Sequence, residues 1–233
     1  MTMGKVMDWY LNTWWSIMAR PIYFFTNIPK GLWQEEALSF AGYTAWFISF
    51  FLAIAVFIVQ QVPIGLRLTE GASLKQIIIA SPVLIVFSSA FFAMTLLIVG
   101  GVMLGVVIGG LYVAGAVLHT VLKLLGGKGS LHQMIKASLY SGASLTAFII
   151  PVVFAILIKA HLTQLWQLYT LENIVYYGVC LYIYGLWSIA GRKVHDVPKW
   201  KAFLAAILPL AVLVLFGVVF HAKVFPKVDK FLV

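Results

Sequence analysis

Charge is what this chain has least of. Of its 233 residues, 10% are Asp, Glu, Lys or Arg, where a domain that folds in water carries about 25%. Acidic residues are scarcest, seven against sixteen basic ones, and none of them falls inside a long apolar run. Ion-coupled transporters keep ionisable side chains near the middle of their spans to carry the coupling charge. A membrane hydrolase or phosphotransferase needs clustered carboxylates or an activated nucleophile. The sequence offers neither pattern, so it points to no catalytic residue and no cofactor. One cysteine, Cys180, sits in an apolar stretch. A single thiol excludes an intramolecular disulfide and a multi-cysteine metal site, and its plain reading is a small buried side chain. The five histidines, His119, His132, His161, His195 and His221, have no partner at helical spacing, so no metal site is expected. The start of the chain lacks the apolar core of a cleavable signal peptide, which leaves the first span to insert the protein uncut.

What the chain has in abundance is apolar length. Hydrophobic residues make up 63% of it, and charges divide it into five long uncharged runs: 37–66, 76–122, 137–158, 173–191 and 202–222. A helix needs about 20 apolar residues to cross the hydrocarbon, so four of the runs hold one span each. The second, 47 residues long, would be roughly 70 Å as one straight helix, too long for a single crossing. Two ways of breaking it are open: a hairpin at Gly100-Gly101, giving six spans, or one span over 95–118 preceded by a separate or re-entrant segment after Pro82. With five spans and a cytoplasmic N-terminus, ten Lys and Arg lie inside and six outside. Six spans give seven inside and nine outside. The positive-inside rule therefore selects five. The net charge of +9 is spread between apolar runs rather than gathered on one surface, which fits lipid headgroups and not nucleic acid.

Before the first span, Val6, Trp9, Tyr10, Trp14 and Ile17 share one helical face, with Asp8, Asn12 and Ser16 opposite. This spacing predicts an amphipathic helix over 5–20, stopped by Pro21. Such a helix either lies in the interface or packs on the cytoplasmic end of the bundle. The fold class that follows is an all-α integral membrane protein: about five transmembrane helices with an N-terminal interfacial helix. The divisions are 1–36 for the helix and lead-in, 37–222 for the bundle, and 223–233 for a short basic tail.

Two motifs stand out. Gly101, Gly105 and Gly109 recur every four residues, a smooth helix face for packing within the bundle, for a homodimer, or for a pathway lined by backbone. After the long run comes Lys123-Leu-Leu-Gly-Gly-Lys-Gly-Ser130. A nucleotide-binding P-loop needs Gly-x-x-x-x-Gly-Lys-Ser/Thr between a strand and a helix. Here Leu122 replaces its first glycine and Gly129 follows the lysine, so nucleotide hydrolysis is excluded. Two readings remain: a tight helix connector, or a lipid-phosphate site built from loop amides with Lys123, Lys128 and Lys136. His119 shares a helix face with Lys123. The candidate lipid or partner contact is His119, Lys123, Gly126, Gly127, Lys128, Gly129 and Ser130.

The order of these pieces carries a resemblance. Arg20-Pro21-x-x-Phe24-Phe25-x-x-Ile28-Pro29, then Ala37-Leu38-x-Phe40-Ala41, then His119-x-x-x-Lys123-x-Leu125-Gly126-Gly127-Lys128-Gly129-Ser130 followed by Gln133, Ala137, Tyr140, Ser141 and Ala143, resembles the Yip-domain membrane proteins in their prokaryotic branch. One departure is Leu145, where many members have proline. The resemblance implies about five spans, a cytoplasmic N-terminus and residence in a prokaryotic inner membrane. Eukaryotic relatives bind Rab-type GTPases through a long polar N-terminal region that this sequence lacks, so GTPase binding does not carry over. The expected partners are membrane lipids and a second copy or another membrane or cytoplasmic protein. The expected role is a membrane adaptor or organiser without a catalytic site, with a lipid or small-solute conduit as the alternative.

Overall fold

The computed structural model describes residues 3–28, 35–160, 162 and 164–223. His161, Pro29, Lys30 and the tail lysines 227 and 230 lie outside the described residues. Two short helices, α1 (Met3–Ala19) and α2 (Pro21–Thr26), precede a bundle. The bundle comprises α3 (Glu36–Val56), α4 (Val62–Thr69), α5 (Leu74–Leu124), α6 (Leu131–Ser141), α7 (Ile149–Lys159), α8 (Leu165–His195) and α9 (Lys199–Lys223). Between α3 and α4 the helix widens to a π turn, Phe57–Gln61. Pro63 follows at once, and a proline that cannot donate to the carbonyl four residues back favours that slack. Between α6 and α7 it tightens to a 3₁₀ segment, Gly142–Phe148. There Ser141, Ser144 and Thr146 donate to carbonyls three residues back. Taken as continuous helices, five stretches among the described residues are long and apolar enough to cross a membrane: Glu36–Gly65, Leu74–Leu124, Leu131–Lys159, Leu165–His195 and Lys199–Lys223.

The second uncharged run departs from both of its expected forms. It is neither a hairpin nor a span with a separate lead-in, but one helix of 51 residues, roughly 76 Å long. Ser73 and Gln76 start it with a reciprocal capping box. Pro82 falls in its third turn and Gly100-Gly101 stay helical. A turn in so apolar a stretch would strand backbone groups without partners, which costs more than two helical glycines. The two halves of α5 differ. The part before Thr95 buries no side chain, while the part after it contributes Thr95, Val107, Leu111, Ala114, Leu118 and Leu122 to the interior.

The core lies around that second half. Leu118, Leu122, Met134, Ile135, Leu139, Leu186, Trp187 and Ala202 are all essentially inaccessible. Helix α1 lies against the bundle through the predicted face: Ile17 is buried, Tyr10 bonds Thr44 at 3.1 Å, and the Trp14 indole donates to the Ala143 carbonyl and the Thr146 hydroxyl. Its other side keeps Met7, Leu11 and Trp15 exposed. Pro21 ends α1 and opens α2. Tyrosines of α8 tie it to its neighbours, Tyr176 donating to the Leu213 carbonyl, Tyr182 to Met18 and Tyr184 to Phe203.

Candidate functional site

The glycine loop is a helix stop with its outside already engaged. At the end of α5 the Gly127 amide donates to the Leu122 carbonyl (2.8 Å) and the Gly126 amide to Lys123 (3.0 Å). That pair of bonds is a Schellman motif, and it demands left-handed backbone at Gly126, where φ is +88°. Gly127 lacks a side chain for a different reason: a Cβ there would stand 2.8 Å from His195 Nδ1. Gly129 has a third: a Cβ would run into the Val194 carbonyl. Between them the Lys128 amide donates to the His195 carbonyl at 3.0 Å. Ser130 then caps α6, its hydroxyl accepting from the Gln133 amide. The Gly-Gly-Lys-Gly-Ser pattern is thus one αL turn, two close approaches and one helix cap.

The element approached is the corner between α8 and α9. Its αL residue is Asp196, at φ +52°, a conformation that aspartate tolerates better than most side chains. Lys201, in the first turn of α9, reaches back to donate to the Leu125 carbonyl at 2.7 Å, one of the carbonyls the end of α5 leaves open. His119 Nδ1 and His195 Nε2 stand 3.2 Å apart and share one hydrogen bond, with the ring centres at 4.9 Å. His195 is 0% exposed, and among the described residues its Nδ1 has no hydrogen-bond partner. The two histidines are 76 residues apart in sequence. The sequence marks His119 through Lys123 and leaves His195 unmarked, because a pairing between distant helix ends has no local signature.

The candidate residues fare differently. Lys123, Gly126, Lys128 and Ser130 are exposed together with Leu124, Leu131 and His132, and His119 is half-buried beneath them. Lys136 is 3% exposed, so it does not join Lys123 and Lys128 as a surface cation of the loop. The Gly126, Gly127 and Lys128 amides all donate within the chain, so they are not free for a phosphate. Gly101, Gly105 and Gly109 are exposed, and among the described residues a Cβ added to any of them meets nothing within 4 Å. The glycines of α5 that admit a neighbour are Gly100, whose Cβ would stand 2.7 Å from Trp46, and Gly115, 3.0 Å from the Ile135 backbone and Ser138.

The Yip1 domain model matches residues 15–221. The chain belongs to the Yip1 domain family. The match takes in α3 to α8, nearly all of α9, and two elements clasped together, the loop at 125–130 and the corner at 192–201, so the clasp lies wholly within the Yip1 domain. No curated protein and no solved structure matches the chain significantly.

Proposed function

We propose that this Yip1-domain protein is a non-enzymatic membrane adaptor or organiser whose cytoplasmic contact surface is the 119–136 segment held on the α8–α9 corner. The observation that carries the reading is the clasp. A connector needs only to turn; this one is pinned by the Lys128 amide, by Lys201 and by two glycines with no room for a Cβ. Pinning leaves a pre-formed surface on which Leu124 (83% exposed) and Leu131 (39%) flank exposed lysines. A rigid loop loses less entropy on binding than a mobile one. Lys123, Lys128, Arg192, Lys193, Lys199 and Lys201 crowd this end, against Arg67, Lys75, Lys159 and Lys223 at the other. The positive-inside rule assigns the crowded end, and with it the N-terminus, to the cytoplasm. The inner membrane of a prokaryote is the proposed setting.

A photo-crosslinking amino acid at Leu131, irradiated in native membranes, tests the proposal. The expected result is a discrete protein adduct that fades when Gly129→Ala disturbs the clasp. Adducts to phospholipid alone contradict it. They favour the second reading, a lipid or solute conduit drawing anionic headgroups to His119, Lys123 and Lys128. That reading requires flux in liposomes that falls on Lys123→Gln/Lys128→Gln.

A further inference from the structure

The corner that receives the glycine loop has an outer side of its own. Arg192, Lys193, Asp196, Val197, Pro198 and Lys199 line a cleft of about 490 Å³. Three cations face one small space, and among the described residues no ion pair links Asp196 to any of them. The cations of α8 have a ready explanation, since Arg192 and Lys193 lie in the last turn of that helix, where its dipole favours positive charge. Those of α9 do not. Its first turn carries Lys199 and Lys201 and no acid, which places positive side chains at the positive end of a 25-residue helix. Lys201 is engaged with the Leu125 carbonyl; among the described residues Lys199 has no such partner. The α9 dipole disfavours the arrangement, and an anion held in the cleft would relieve it.

The surroundings say what kind. Directly after Lys199, α9 exposes Trp200 (62%), then Phe203, Leu204 and Ile207. These are apolar side chains of a helix long and apolar enough to cross a membrane. A basic cleft above a lipid-facing helix side, with a tryptophan at the boundary, matches a molecule with an anionic head and apolar tails. We infer that the α8–α9 corner is a binding site for a phosphate-bearing anion, with Arg192, Lys193 and Lys199 as its cations, and that the phosphate comes from an anionic glycerophospholipid. The inference is independent of the adaptor reading: a lipid held here stabilises the corner whatever docks on the loop.

Native mass spectrometry of the full chain in non-ionic detergent, with phosphatidylglycerol or phosphatidylcholine added, tests the site. One retained phosphatidylglycerol, preferred over phosphatidylcholine, is expected. Each cation near an anionic lipid contributes roughly a factor of five. Lys193→Gln should therefore weaken retention about fivefold, and Arg192→Gln/Lys193→Gln/Lys199→Gln should abolish the preference. Removing equal charge at the far end, by Lys75→Gln/Lys159→Gln/Lys223→Gln, should leave it intact. A cooperative thermal transition kept by the site variants in lipid-free detergent shows that the fold is kept. Displacement of the lipid by millimolar sn-glycerol 3-phosphate supports the anion site but makes a soluble phosphate its source. No preference for phosphatidylglycerol, a preference that survives the triple substitution, or one lost equally in the far-end variant, overturns the proposal.

Discussion

Gly126, Gly127 and Gly129 resist substitution for unlike reasons, and alanine at each should report which reason holds. At Gly126 the cost is the left-handed backbone alone, about 1–2 kcal/mol, because nothing lies closer than Lys201 Nζ at 4.0 Å. At Gly127 and Gly129 it is overpacking against His195 and Val194, about 1–3 kcal/mol, and it opens the loop as well. Thermal unfolding in detergent should show all three destabilised, whereas Gly101→Ala, on an open helix face, should be neutral or up to about 1 kcal/mol stabilising. His195→Ala removes a buried ring together with the partner of His119 and should destabilise more than His119→Ala, since His119 is only half-buried. None of this could be read before the helix ends were brought together. The glycine pattern was visible as a connector, but the reasons for the second and third glycines lie about 65 residues further along, at Val194 and His195.

Among the elements, α1 was the most legible and α5 the least. The face of α1 and its stop at Pro21 depend on residues within a few turns of one another, which periodicity records. The length of α5 depends on something hydropathy does not encode: where an apolar helix leaves the membrane, as opposed to where it ends. The glycine repeat invites a similar confusion. Small residues every four positions mark a possible close approach, but the neighbour decides whether it occurs. Here Trp46, Ile135 and Ser138 supply it at Gly100 and Gly115, and among the described residues nothing does so at Gly105. Gly115→Leu should therefore unfold or strongly destabilise the protein, by roughly 1–3 kcal/mol or more. Gly105→Leu should leave the monomer intact. A change in oligomer size on Gly105→Leu, seen by size-exclusion chromatography with light scattering, would mean that a second copy packs on this face.

The whole molecule divides by how it is buried. One end, around Leu118, Leu122, Met134 and Leu186, is a continuous cluster of buried side chains. The first half of α5 shows its apolar side chains, Ile79 and Val83 among them, to the surroundings. The composition announced a membrane bundle, and charge bookkeeping chose five crossings; the asymmetry between the packed and the open end came only from the structure. The account stands on five crossings, which set the glycine loop and the α8–α9 corner on the same side as the N-terminus. Single cysteines at Lys5, Lys128 and Lys159, in a Cys180→Ala background, can be labelled in intact cells and in inverted vesicles with a membrane-impermeant maleimide. The account predicts that residues 5 and 128 react from one side and residue 159 from the other. Labelling of 5 and 128 from opposite sides would contradict it, because α5 would then cross twice.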